Sequence, residues 1–139
     1  MSFGETSPPV VRHLLVCRRI SYDLNAPGAA YTLHALITQL QLEAGAEFPV
    51  VVPELWAFLQ VFGEVGEYEI WIELAAVDGE GEVLGEATSY GPLVLRVPDG
   101  VWVVNRAYRL ANARLLRFGL HEVRVWCGAD LLAREEFVV

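Results

Sequence analysis

The sequence predicts an all-β fold, an antiparallel sandwich of about eight or nine strands, and two observations carry that prediction. The first is a glycine-led run that occurs twice. Gly66-Glu67-Tyr68-Glu69-Ile70-Trp71-Ile72-Glu73-Leu74 alternates polar and apolar residues, and Gly119-Leu120-His121-Glu122-Val123-Arg124-Val125-Trp126-Cys127 begins the same way. Each run meets a Gly/Asp turn, Asp78-Gly79-Glu80-Gly81 or Gly128-Ala129-Asp130, and a second extended run follows over 82–87 or 131–139. Alternation with period two gives a strand one buried and one solvated face, so two such hairpins predict an antiparallel sandwich. The second observation is what is missing. Alternating βαβ units need amphipathic helices of ten or more residues, and the chain offers none.

Taken in order, residues 1–9 hold Pro8 and Pro9 with no basic start and no apolar run. They are expected to be a disordered leader before a single domain over 10–139. Residues 10–21 form a first long strand, closed by the turn-rich Asn25-Ala26-Pro27-Gly28. Its hairpin partner spans 31–42, with Leu33, Ala35 and Ile37 on one face. Phe48-Pro49 and Pro53 then flank a short valine run. Proline lacks the donor a ladder needs, so this stretch is an edge or a crossover between sheets. Residues 54–62 form the third main strand, which Gly63-Glu64-Val65-Gly66 turns into the first glycine-led run. Ser89-Tyr90-Gly91-Pro92 and Pro98-Asp99-Gly100 divide the next portion into a short strand (93–97) and a longer one (101–110). Segment 110–118 holds good helix formers but is too short for a stable helix. It is expected to be a turn, or at most one short helical turn, crossing between the sheets.

A chain of 139 residues suits one domain, and one of that size buries about 68–70% of its unfolded surface without help from metal or disulfide. Hydrophobic residues make up 54% and the mean hydropathy is +0.36, which is high for an ordinary soluble domain. That surplus predicts strands buried on both faces or apolar surface covered by a partner. No run approaches the roughly 18 apolar residues of a membrane span, and the first residues lack the form of an export signal. A cytoplasmic chain with no membrane partner is therefore expected. Ten basic and 18 acidic residues give a net charge of −8, and Arg18-Arg19 is the one basic doublet. Nucleic-acid binding needs a basic stripe to displace phosphate counterions, so no nucleic-acid partner is expected. Cys17 and Cys127 have no metal-type spacing and are expected to be reduced, buried thiols acting as small apolar residues.

After the leader, most of the chain resembles a group of small bacterial proteins of unknown function with an immunoglobulin-like β-sandwich. The resemblance rests on Leu14-Leu15-Val16-Cys17, on the Phe48-Pro49…Pro53 crossover and on Gly66-Glu67-Tyr68 opening a strand. The final hairpin, Phe118-Gly119-Leu120-His121-Glu122-Val123 with Leu131-Leu132-Ala133-Arg134, completes it. Such families place Tyr where this chain has His121. The resemblance implies a fold and brings no activity, substrate or catalytic residue.

The residues that could carry chemistry are scattered. His13, His34 and His121 are isolated in predicted strands, with no close pair of the kind that announces a zinc site. Ser21-Tyr22-Asp23 offers a hydroxyl and a carboxylate at a strand end without a nucleophile elbow. Asp78-Gly79-Glu80-Gly81-Glu82 has acids at alternate positions, but a calcium loop needs a longer ligand series, and hairpin turn chemistry explains the Asp-Gly pair. No Gly-rich phosphate loop occurs, and Glu135-Glu136 point to opposite faces of a strand. The expectation is a non-enzyme with no catalytic residue, no metal and no cofactor.

The aromatic distribution gives the one hint of use. Alternation places Tyr68, Ile70, Ile72 and Leu74 on one face, and Glu67, Glu69, Trp71 and Glu73 on the other. Trp126 likewise shares a face with Leu120, Glu122 and Arg124. Either each indole covers a strand neighbour, with Arg124 lying over one as a cation–π contact, or the face is an interface. The interface reading gives a protein-interaction or self-associating module, a homodimer included, that works through a sheet face or strand edge. Its candidate residues are Trp71, Trp126, Arg124, Glu69 and Glu73. The alternative is a small-ligand or carbohydrate-binding sandwich that stacks its ligand on Trp56, Trp71, Trp102 and Trp126.

Overall fold

A computed structural model describes residues 7–23, 30–100 and 103–139. Ten strands and no helix occur among them. In chain order they are β1 (Val10–Asp23), β2 (Ala30–Leu36), β3 (Val50–Val52), β4 (Trp56–Phe62), β5 (Gly66–Ala76), β6 (Thr88–Val97), β7 (Val104–Arg109), β8 (Ala113–Leu115), β9 (Leu120–Cys127) and β10 (Asp130–Val138). Sheet A has the order β2-β1-β4-β7, sheet B the order β10-β9-β5-β6, and β3 pairs with β8 in a small third sheet. Every pairing between these strands is antiparallel. The protein is an all-β sandwich.

The alternation produces the two layers directly. Leu14 and Val16 of β1 and Ala57, Leu59 and Val61 of β4 turn inward from sheet A. Tyr68, Ile70, Ile72 and Leu74 of β5 and Val123 and Val125 of β9 turn inward from sheet B to meet them. Burying a side chain of this size contributes about 1.5–3 kcal/mol before the entropy of ordering it is counted.

Both glycine-led runs start where the chain enters sheet B. The lead glycines take positive φ, +151° at Gly66 and +111° at Gly119, and an amphipathic ring two residues on fastens each entry. The Tyr68 hydroxyl donates to the Glu64 carbonyl at 2.8 Å. The His121 Nδ1–H donates to the Gly119 carbonyl at 3.0 Å, and the ring stacks on Phe137 with centroids 5.5 Å apart.

Both seams between the sheets are bonded. On one side Tyr108 of β7 donates to the Val94 carbonyl and Arg106 to the Arg96 carbonyl, each at 3.3 Å, so β7 side chains satisfy the open edge of β6. On the other side the chain after β2 crosses to the end of β10. There the Leu40 amide donates to Val138 (2.7 Å) and the Val138 amide to Thr38 (3.0 Å). Glu135 points inward from the rest of β10, a charge that blunts an edge strand against pairing with other chains.

Several sequence expectations are corrected. There are ten strands, because the valine run becomes β3 and the expected turn over 110–118 contains β8 in place of a helical turn. Asn112 turns the chain at φ +51°, and Ala113 and Leu115 are then buried opposite Val52 and Val50. The return run over 82–87 gives only a bridge from Val83 to Val77, and β5 finds its long partner in β6. Gly91-Pro92 does not break that partner: β6 is an edge strand and absorbs the proline in a bulge. The second strand ends at Leu36, six residues early, as Ala35 takes φ +56° and the chain leaves for sheet B. Pro9 is buried against Gly63. Residues 1–6 of the expected leader, the Asn25–Gly28 turn and Trp102 lie outside the described residues. The cysteines are both free thiols; Cys17 is buried, but Cys127 is only half-buried.

Two stability measurements check this account. Tyr68→Phe removes the corner bond while keeping the ring, and is expected to lower unfolding free energy in urea by about 0.5–1.5 kcal/mol. Burial pushes the His121 imidazole below its ordinary 6.5, with the Gly119 bond opposing the shift. The unfolded chain therefore takes up this proton first, so stability is whole above pH 6.5 and falls as pH drops below it. Burial holds the Glu135 carboxyl above 4.5, and that cost has the opposite sign, easing as the carboxyl protonates. Thermal unfolding from about pH 7.5 to 5.5 is expected to show the histidine slope, and His121→Phe to flatten it.

Candidate functional site

The pairing of β5 with β9 assembles four of the five candidate residues on the outer face of sheet B. Trp71 lies opposite Trp126, and Glu73 opposite Arg124. Glu69, the fifth, lies one pair further along β5, opposite Val94 of β6. β10 extends the tryptophan row by placing Leu131 opposite Trp126. On the other side of the row, Trp71 rests against Gly91. A Cβ at Gly91 would stand 2.5 Å from Trp71 Cδ1, and φ there is +155°, so glycine is required on both counts. The result is an apolar row across the sheet from Leu131 through Trp126 and Trp71 to Gly91, and Val94, diagonal to Trp71 and opposite Glu69, borders that end. The ends of this band are open, with Leu131 42% and Val94 58% exposed. The two indoles are half-buried rather than free-standing, and Trp126 Nε1 is buried with no hydrogen-bond partner among the described residues.

Beside this band lies a charged cluster that the alternation pattern does not reveal. Glu122 points to the outer face of β9, which the sequence marks as wet, yet it is 0% exposed. The turn after β5 covers it. Asp78 Oδ1 accepts the amides of Glu80 (2.8 Å) and Glu82 (2.9 Å), which shapes the turn so that the Gly81 carbonyl faces Arg124. Arg124 Nη2 donates to that carbonyl and to Glu122 Oε2 (3.3 Å), while Nη1 lies 3.8 Å from Glu73. Arg124 is therefore spent on carboxylates and a carbonyl, and the cation–π contact with an indole is not formed. Arg134 approaches Glu122 Oε1 at 3.8 Å, close enough for ionic attraction but too far for a hydrogen bond, which leaves that oxygen unsatisfied. A turn folding back over the sheet is the signal that mattered, and only the Asp78-Gly79 turn chemistry foreshadowed it.

The three histidines lie in separate parts of the described structure. His121 serves a corner, and His13 lies across from Gln60 on sheet A. Ser21 Oγ bonds His34 Nε2 at 2.8 Å, a serine–histidine pair on an exposed hairpin. Burial pushes both thiols up, so at neutral pH neither Cys17 nor Cys127 is a thiolate nucleophile. Among the described residues no three His, Cys, Asp or Glu side chains cluster as a metal site, and no helix is long and apolar enough to cross a membrane. Trp56 belongs to sheet A, where its Nε1 donates to Glu54 at 2.9 Å, so the three described tryptophans do not share one platform.

No family model, curated protein or solved structure matches this chain.

The Glu122–Arg124 pair makes a clear test. Removing one partner of a buried ion pair strands the other charge, so Arg124→Ala is expected to cost about 3–5 kcal/mol in urea unfolding. Adding Glu122→Leu to that variant is expected to recover most of the loss, because no charge then remains buried.

Proposed function

We propose that the protein is a non-enzymatic interaction module that docks through the outer face of sheet B, with a second copy of the chain as its first partner. The observation that carries this reading is the register of Trp71 with Trp126 inside a band whose ends, Leu131 and Val94, are open to solvent. Half-buried tryptophans framed by arginine and carboxylates have the composition of an interface centre with a polar rim. Both signs of charge border the band, with Glu67, Glu69 and Glu73 on β5 and Arg96, Arg124 and Arg134 on its neighbours. An isologous dimer applies the same patch twice, so a face that carries both signs of charge can be complementary to itself.

An immunoglobulin-like scaffold belongs to the same proposal. The core β1-β4-β7 against β10-β9-β5-β6, with crossings at β4–β5 and β6–β7 and a closing β9–β10 hairpin, supports that comparison. In this reading β9 takes the place of the strand whose start carries a corner tyrosine, and His121 fills that role with a ring nitrogen. The glycan-binding alternative is weakened by the separation of Trp56 from the sheet B pair.

Sedimentation velocity from about 1 to 500 μM is the direct test. The expected result is reversible dimerisation that the double variant Trp71→Ala/Trp126→Ala abolishes while its circular dichroism stays unchanged. A chain that sediments as a monomer throughout, or a dimer that the double variant leaves intact, overturns docking through this face.

A further inference from the structure

A second site stands at the far end of sheet A, on elements the sheet B face does not use. Arg18-Arg19 is the only adjacent pair of basic residues in a chain of net charge −8. Three of the ten arginines, Arg96, Arg124 and Arg134, have ion pairs among the described residues. Arg18 and Arg19 have no ion pair among the described residues.

They line a cleft of about 460 Å³, with His34 and Glu54 as further polar lining and Val52 and Pro53 as an apolar wall. The topology opens this cleft. β1 pairs with β4 only as far as Cys17, because Pro53 and Glu54 precede β4 and the ladder starts at Trp56. Beyond Cys17, among the described residues, β1 pairs with β2 alone, and Arg19 lies opposite His34. The one acid in the lining, Glu54, accepts from Trp56 Nε1 through Oε1 at 2.9 Å. His34 is held by Ser21 at 2.8 Å, and Ala35 beside it takes φ +56°, a conformation that costs a residue other than glycine energy.

A second cleft, of about 240 Å³, adjoins the first through Arg18, Val52 and Pro53, and it is walled by Leu40, Leu42 and Val50. Alternation turns Arg18 and Arg19 to opposite sides of β1, and Arg18 is the arginine that both clefts share. The groove is thus basic at one end and apolar at the other. We propose that it binds a small organic anion, its carboxylate or phosphate held by Arg18 and its apolar body lying along Val52 and Pro53. Guanidinium groups suit either headgroup because their planar donors match two oxygens at once. The combined space falls in the usual range for small-ligand sites.

Heteronuclear NMR titration of the full chain tests the proposal with four probes: phenyl phosphate, benzoate, inorganic phosphate and benzylammonium. Phenyl phosphate or benzoate is expected to shift amides around Arg18, His34 and Val52, and the tighter of the two identifies the headgroup. The better aryl anion should bind about tenfold more tightly than inorganic phosphate, with no response to benzylammonium. Arg18→Ala should weaken it about tenfold or more and Arg19→Ala by less; both side chains are exposed, so the fold survives the changes. Silence from both aryl anions up to about 10 mM overturns the proposal. So does binding that survives the double arginine variant, or inorganic phosphate binding as tightly as phenyl phosphate. Loss of this site leaves the sheet B dimer untouched, so the two readings fail separately.

Discussion

The antiparallel pairing of β5 with β9 is the contact on which the rest of the molecule depends. Its register decides both faces of sheet B together. With Ile72 opposite Val125 and Leu74 opposite Val123, four branched side chains meet sheet A as the centre of the core. The same register sets Trp71 against Trp126 and Glu73 against Arg124 on the other side. A slip of one residue would send the tryptophans inward and the aliphatic residues out, so core packing and surface pattern hold each other in place. Everything else attaches to this pair: β6 and β10 flank it, β4 and β8 lead into it, and the turn after β5 folds back over it.

That turn shows how a surface position becomes an interior one. Nothing in the alternation of β9 distinguishes Glu122 from Arg124, yet one is sealed and the other keeps a narrow path to water, with its side chain 12% exposed. The difference arises because residues 78–84 return along the outer face, where Leu84 bonds back to Ala76 and Gly81 offers its carbonyl to Arg124. A buried carboxylate is tolerable only while its partners stay, so the ion pair and the turn are mutually dependent. The geometry of the turn is thereby written into the chemistry of a strand some forty positions away.

Much of the architecture was legible in the sequence because period-two alternation maps directly onto strand faces. The inward rows of β5 and β9, the outward tryptophans and the crossover nature of the Pro49–Pro53 stretch all follow from local pattern. Long-range choices were not legible. Which strand β5 would pair with depended on competition between the nearby run over 82–87 and the later β6, and the later one offers ten residues against a short return. The strand β8 was hidden because Ala113 and Leu115 look like helix formers until Val50 and Val52 are placed opposite them. For the candidate face, the residues could be named from alternation, but their setting could not. Arg124 is taken up by Glu122, Glu73 and Gly81, and Trp71 is seated on a glycine from another strand. The Arg18–Arg19 cleft lay further from view, since it exists only where one strand outruns its neighbour.

The end of β10 has a mechanical meaning. Gly119 and Val139 exchange two backbone bonds, and one residue earlier Val138 is bonded on its other side to Thr38 and Leu40. A pull on Val139 therefore meets two ladders at once, one to each sheet's chain, before any part of β10 can peel from β9. Strands that unzip yield one bond at a time, whereas the end of β10 must lose several together. Under load, the last strand of the sandwich would behave as a latch, tying the segment that leaves sheet A to the edge of sheet B.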